Sequence, residues 1–201
     1  RPSAIPQPAN LPTSTGLDFD FVVIGSGFAG SLIATILQTQ GRRVAIVDRS
    51  SHPRFAIGES STPAASLILS SLADQYDLSW LKPFAKYGTW KAAYPKIATG
   101  RKRGFSYFQH EAGIPFQPRP DHSNELLAAA SSSDAVSDTQ WLRSDVDSFF
   151  FRQACDSGVT PIENSEVDSL HKSMRPTNNG WVVKVRSVKA SASGQVHDLS
   201  A

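Results

Sequence analysis

An α/β fold with a parallel sheet is predicted by three features between Phe19 and Asp48. Phe19 to Ile24 is short, apolar and β-branched, as a buried parallel strand requires. Gly25-Ser26-Gly27-Phe28-Ala29-Gly30 follows at once, and Ala29 to Gln40 then carries Leu32, Ile33, Ile36 and Leu37 at helical spacing. Arg43 to Val47 reads as a second strand and ends in the acid Asp48. Together these pieces make one βαβ unit of a Rossmann-like sheet, with Gly41 placed as the glycine that stops the helix.

The spacing carries chemistry. Gly25 permits the tight turn, Gly27 lets backbone approach a pyrophosphate, and Gly30 allows the helix to pack closely on the strand. The helix N-terminus adds unpaired N–H groups and a partial positive charge. Seventeen residues separate Gly30 from Asp48, which puts the carboxylate at the end of the second strand, within reach of both hydroxyls of an adenosine ribose. An acid there repels a 2′-phosphate, so NADP is disfavoured. A glycine-rich turn that merely packs helix on sheet is the bland alternative.

Composition narrows the class. The chain of 201 residues can bury a core; it is 40% hydrophobic and 19% charged, ordinary for a globular protein. A net charge of +2 gives no argument for nucleic acid or a membrane surface as partner. The single cysteine, Cys155, excludes an intramolecular disulfide framework and fits a reducing, cytoplasmic compartment. No apolar run approaches the roughly 18 residues of a membrane span. The absence of an initial methionine and of a signal-peptide core suggests a piece of a longer chain.

Residues 1–17, with Pro2, Pro6, Pro8 and Pro12, are expected to form a disordered tail without a function of its own. After Asp48 a loop runs to Ser61, and Thr62-Pro63 reads as a helix N-cap with proline in the first position. Gly58, Glu59 and Ser60 thus lie on a turn before a helix, suited to a polar ring edge; Glu59 could equally serve as a cap. Asp77 to Phe84 reads as a short helix and turn. Phe105 to Gln109 and Ile114 to Gln117 read as strands, and Asn124 to Ala130 as a short helix. Arg101-Lys102-Arg103 reads as a solvated hairpin, with anion steering the sharper alternative. His110 and His122 lack ligand spacing, so no metal site is expected.

Ser131 to Thr139 is a polar loop, and a helix follows Trp141 and closes near Cys155 and Gly158. Val159 to Ile162 is expected beside the first strand as a third parallel one. Trp181 to Val185 should be antiparallel, with turns at Asn178-Asn179-Gly180 and at Ser191 to Gly194 and a partner strand from Val196.

The combination of Gly25 to Gly30, Asp48, and Pro53-Arg54-Phe55-Ala56-Ile57-Gly58-Glu59-Ser60 with Pro63 resembles the N-terminal half of the flavin-dependent halogenases. That resemblance implies a three-layer FAD-binding domain of the hydroxybenzoate hydroxylase type, cut before it is complete, over residues 18–201, with 86–122 extending towards the substrate side. It implies FAD held by Gly25, Ser26, Gly27, Phe28, Ala29, Gly30, Asp48 and Arg49, with Gly58, Glu59 and Ser60 bordering the isoalloxazine. The Arg143-x-x-x-Asp147 helix resembles the family's in register, which makes Arg143 a candidate for contact near the flavin; an ion pair with Asp147 is the alternative.

Two lysines compete for the family's functional lysine. Lys86-Tyr87-Gly88-Thr89 resembles the pattern of the pyrrole-type enzymes and Gly88-Thr89-Trp90-Lys91 that of the tryptophan enzymes; Lys86 is preferred because it needs no gap. Such a lysine would hold an oxidised halogen beside an electron-rich ring, either as an ammonium or as a neutral amine. The implied activity uses reduced FAD, O2 and halide to halogenate a small organic substrate, with a separate flavin reductase as a possible supplier. An FAD-dependent hydroxylase, a geranylgeranyl reductase-like enzyme, or a non-catalytic FAD-binding module are the alternatives. The Trp-x-Trp-x-Ile-Pro motif that separates halogenases from hydroxylases would lie beyond residue 201.

Overall fold

A short strand Leu17–Asp18 (β1) precedes Phe21–Ile24 (β2), the helix Phe28–Thr39 (α1) and Val44–Val47 (β3). The helix Pro63–Gln75 (α2), a 3-10 turn at Lys82–Ala85 and the helix Tyr87–Ala93 (α3) follow. Next come Thr99–Lys102 (β4), Gly104–Phe108 (β5), Glu125–Ala129 (β6), Asp138–Trp141 (β7) and the helix Arg143–Asp156 (α4). Thr160–Ile162 (β8), Ser165–Lys172 (β9), Trp181–Ser187 (β10) and Val196–Ser200 (β11) end the order. This computed structural model describes residues 17–129, 131–173, 180–188 and 196–200. Two compact units result: one made of the segment through Ala56 and that from Arg143 onward, the other of Ile57–Leu142.

The first unit is three-layered. Its central parallel sheet has the order β2-β3-β8. All four residues of β3 are buried, and its side chains alternate between two cores as the pleat demands. Val44 and Ile46 pack with Ala34 of α1 and with Phe151 and Ala154 of α4. Ala45 and Val47 pack with Ile162 and with Val183, Val185 and Leu199 of a second, four-stranded sheet. That sheet has the order β1-β11-β10-β9, antiparallel except where β1 lies parallel to β11. Leu17 and Asp18, at the edge of the expected tail, are therefore paired strand residues.

The second unit holds α2, α3 and two hairpin-like pairs, β4 with β7 and β5 with β6. Thr62 caps α2 by accepting the Ala65 N–H, with Pro63 in the first turn. Phe84, Trp90, Tyr94 and Trp141 form its aromatic centre, Phe84 lying 4.5 Å from Trp90 and 5.1 Å from Tyr94.

Several expectations need correction. Residues 124–130 are not a helix: Glu125–Ala129 pairs along its full length with β5, and that ladder overrides the helical preference of Glu-Leu-Leu-Ala-Ala. Ile114 to Gln117 is not a strand, because the Asn124 side chain takes up the loop's backbone, donating to the Gln117 carbonyl and accepting the Arg119 N–H. The end of the expected polar loop 131–139 is β7, and β9 carries alternating charge that hid it. β8 lies beside β3 rather than beside β2, which makes β3 the central strand. The turns expected at 178–179 and 191–194, and residues 1–16, lie outside the described residues.

Candidate functional site

The chain reverses tightly after β2. Gly25 has φ +98°, a conformation that side chains rarely adopt, and its N–H donates to the Val47 carbonyl at 2.7 Å. A Cβ on Gly30 would stand 1.9 Å from the Gly25 carbonyl oxygen, so only glycine permits this approach of helix to turn. Gly27 differs: it has φ −63° and ψ 173°, and its Cβ position meets only side-chain ends. Those ends are Arg54 Nη2, Arg143 Nη2 and Asp147 Oδ2, each at 3.6 Å. Two guanidinium groups and the Asp147 carboxylate therefore stand over the start of α1, whose positive dipole end favours an anion.

Asp48 lies at the end of β3, in the register expected of it. Its Oδ2 accepts the backbone N–H of Ser26 at 2.8 Å, the Ser26 hydroxyl at 2.8 Å and Arg54 Nη2 at 3.2 Å. Its Oδ1 accepts the Ser50 N–H at 2.9 Å. Burial alone would raise this carboxyl, but the Ser26 and Ser50 N–H groups, the Ser26 hydroxyl and Arg54 hold it below 3.8. Asp48 is thus a carboxylate, and Oδ1 keeps acceptor capacity for a further donor. It opens on a cavity of about 370 Å³ that Gly25, Asp48, Arg49, Arg54, Ser165 and Glu166 help to line.

Behind the turn, Arg143 makes a two-pronged ion pair with Asp147, at 2.8 and 2.9 Å. The fully buried Asp147 also accepts the Phe28 N–H at 3.3 Å, and the Arg143 guanidinium lies 4.8 Å from the Phe28 ring centre. The ion pair expected as the alternative for Arg143 forms, and its Nη2, engaged by Asp147, is the atom nearest the Gly27 Cβ position. Ser26 and Ser31 are fully buried, and Ala29 is part of the first turn of α1.

Gly58, Glu59 and Ser60 belong to the second unit. Gly58 turns the chain with φ +97°, and the next two residues lie beside β7: the Glu59 carbonyl accepts the Trp141 N–H at 2.7 Å, and Ser60 bridges Gln140. The Glu59 carboxylate accepts the Gly58 N–H at 3.1 Å instead of capping α2. Lys102 donates to the Ser60 hydroxyl and the Ser61 carbonyl, and Arg101 and Arg103 both face Asp134. The basic cluster is therefore engaged by its own unit. Lys86 immediately precedes α3, half-exposed, with its Nζ 3.7 Å from Asp138 Oδ1. Asp138 is 1% exposed; its Oδ1 also accepts the Ser66 hydroxyl at 3.1 Å, while its Oδ2 has no hydrogen-bond partner among the described residues. Lys91 is exposed in the last turn of α3.

The family description "NAD(P)-binding Rossmann-like domain" matches residues 23–94. Monodechloroaminopyrrolnitrin halogenase PrnC of Pseudomonas fluorescens is 31% identical over 165 residues, 82% of this chain and 28% of the relative. Tetracycline 7-halogenase of Kitasatospora aureofaciens is 29% identical over 155 residues, 75% of this chain and 27% of the relative. The solved structure of halogenase PltM in complex with phloroglucinol and FAD superposes with a TM-score of 0.68 at 26% identity, over 89% of this chain and 33% of that one. The chain is thus similar to flavin-dependent halogenases in sequence and in fold. It corresponds to the N-terminal part of the FAD-binding domain and spans less than a third of the length of either curated relative.

Three residues around Ser26 and Asp48 have no signal in the spacing: His52, Arg54 and Glu163. His52 Nε2 lies 2.8 Å from the Ser26 hydroxyl, and its backbone N–H donates to Glu163 Oε1 at 2.9 Å. Arg54 was legible only as part of the Pro-Arg-Phe stretch and not as the partner of Asp48. On the lysine side, Asp138 was hidden inside a stretch that reads as polar loop. Among the described residues no group of three His, Cys, Asp or Glu side chains is placed to hold a metal, and no helix is long and apolar enough to cross a membrane.

Proposed function

We propose that this chain is the nucleotide-binding front of an FAD-dependent halogenase whose substrate is an electron-rich small molecule. The observation that carries the reading is Asp48: a carboxylate fixed by four donors at the mouth of a glycine turn, in a chain similar to halogenases. The residues fit FAD. Gly27 leaves room at the α1 N-terminus for a pyrophosphate, two guanidinium groups offer it charge, and the buried Arg54 Nε has no hydrogen-bond partner among the described residues. Oδ1 of Asp48 is the acceptor for the adenosine ribose, with Arg49 at the rim. Gly58, Glu59 and Ser60 are assigned to the ring end of the cofactor through the family pattern they carry.

Bound FAD, when reduced, would supply the oxidising equivalents from O2 that convert halide to hypohalous acid. The protein's part is to bind, to exclude water and to hold the oxidised halogen. Lys86 is the preferred group for the last step, because the buried Asp138 sits 3.7 Å from its Nζ and can fix the direction of the side chain. Lys91 remains the alternative. Halide and O2, and a separate flavin reductase in the cytoplasm, complete the set of partners. The test is product formation by the full-length protein supplied with reduced FAD: halogenated product that requires halide supports the reading, and halide-independent hydroxylation replaces it with a monooxygenase.

A further inference from the structure

We propose that His52 is a positioning residue for the nucleotide ribose, acting through the Ser26 hydroxyl on Asp48. The inference rests on the nucleotide reading above and goes beyond it by assigning a proton to each link.

The Ser26 hydroxyl has one proton and two neighbours at 2.8 Å, Asp48 Oδ2 and His52 Nε2. A carboxylate only accepts, so the serine proton points to Asp48 and Ser26 Oγ must accept from the histidine. His52 Nε2 also lies 3.0 Å from the Ser26 carbonyl oxygen, which likewise only accepts. Both neighbours therefore require the hydrogen on Nε2. The opposite tautomer would place an N–H on Nδ1, which is buried and has no partner among the described residues, at the cost of an unsatisfied buried donor. Hydrogen bonding thus runs one way, from His52 through Ser26 to Asp48.

Three further features keep the ring from moving. Its centre lies 4.8 Å from that of the Phe151 ring at a tilt of 32°, its backbone N–H is bound to Glu163, and it lies beside Ser26, whose own N–H holds the same carboxylate oxygen. Burial and the nearby Arg54 cation favour the neutral ring, against the opposing pull of Ser26, Glu163 and Asp48. The consequence for ligand binding is directional. Oδ2 is filled from the protein side, so the carboxylate cannot rotate, and the free lone pair on Oδ1 is the one presented to a ribose hydroxyl.

The experiment is equilibrium binding of FAD and of its 2′-deoxyadenosine analogue to the full-length protein, read by flavin fluorescence. Wild type should prefer FAD by about tenfold, the value of one buried hydrogen bond to a charged acceptor. His52→Phe keeps a stacking ring but cannot donate; it should bind FAD about tenfold more weakly and lose the preference between the two ligands. His52→Gln can donate from a similar position and should restore the preference. Ser26→Ala breaks the same relay without touching the ring, and covers the case of a His52→Phe protein that does not fold. An unchanged ligand preference in His52→Phe or Ser26→Ala, with or without a fall in affinity, overturns the proposal, since it would show a structural role only. Wild type that binds FAD without ribose preference overturns the proposal alone, and wild type that binds no FAD overturns the nucleotide reading with it.

Discussion

Asp48 and Asp138 are both buried carboxylates at the end or start of a strand, and they are finished to different degrees. Asp48, 8% exposed, has donors on both oxygens, supplied by Ser26, Ser50 and Arg54. Asp138, 1% exposed, has Ser66 on one oxygen, Lys86 just outside hydrogen-bond range and nothing on the other among the described residues. A buried acceptor left without a donor costs on the order of 1–3 kcal/mol. The Asp48 side is therefore closed by donors of its own unit. The lysine side holds a group that still gains from one more donor, whether from a small swing of Lys86 or from an incoming molecule.

The most complete break of the finished side is Gly30→Ala. With a Cβ position 1.9 Å from the Gly25 oxygen, helix and turn cannot both stay, and soluble folded protein should be lost. On the other side the largest effect belongs to Lys86. Lys86→Ala should cut halogenated product by about 10²–10⁴-fold, the usual worth of a positioned proton-transfer or holding group. O2 consumption and freely diffusing hypohalous acid should persist in that variant. Lys91→Ala should leave product formation nearly unchanged; the reverse pattern hands the role to Lys91, and lost O2 consumption in Lys86→Ala would mean a structural part instead.

Gly27→Val sharpens the contrast with Gly30. Its backbone angles suit any residue and its Cβ meets only movable side-chain ends, so the melting temperature should hold while FAD titration shows affinity down by roughly 100-fold or more through blocked backbone approach. Undiminished affinity would remove the phosphate assignment. Asp48→Ala is milder. It should cost about 1–3 kcal/mol of FAD binding, measured by the same titration.

Much of the finished side was legible because its signals are local. Strand, glycine turn, helix and acid fall within 30 positions, and Thr62-Pro63 announces α2 by capping chemistry alone. What could not be read depends on meetings between distant segments. Glu163 reaches His52 across more than a hundred residues, β6 is a strand only because β5 offers its edge, and β8 chose β3 as its neighbour. Asp138 carries no pattern at all, since a lone acid in a polar stretch gains meaning only when Ser66 and Lys86 converge on it.

Acid gives the smallest effect. His52 has a folded value below 6.5, so its contribution to stability is complete above pH 6.5 and is lost as pH falls from there towards the folded value. Asp48, held below 3.8, adds its loss only at lower pH, below that value. Urea midpoints at pH 7.5 and 5.5 should therefore fall modestly on acidification, and His52→Phe should flatten that fall. An equal acid response in both proteins would remove His52 as its source.

The pairing of Leu17 with Leu199 and of Asp18 with Ser200 bears on how such a chain can be made. The βαβ unit and α4 precede Val196 in the chain, and the core that joins Ala34, Val44, Ile46, Phe151 and Ala154 needs no residue of β11. β11 follows β9 and β10 in the chain, yet its place is internal, between β1 and β10. Until it arrives β10 offers a bare edge, β1 has no partner, and the position of Leu199 against Ala45 and Val47 stays open to water. The glycine turn is thus built from segments close together in the chain, whereas the sheet behind it depends on the distant pairing of β1 with β11.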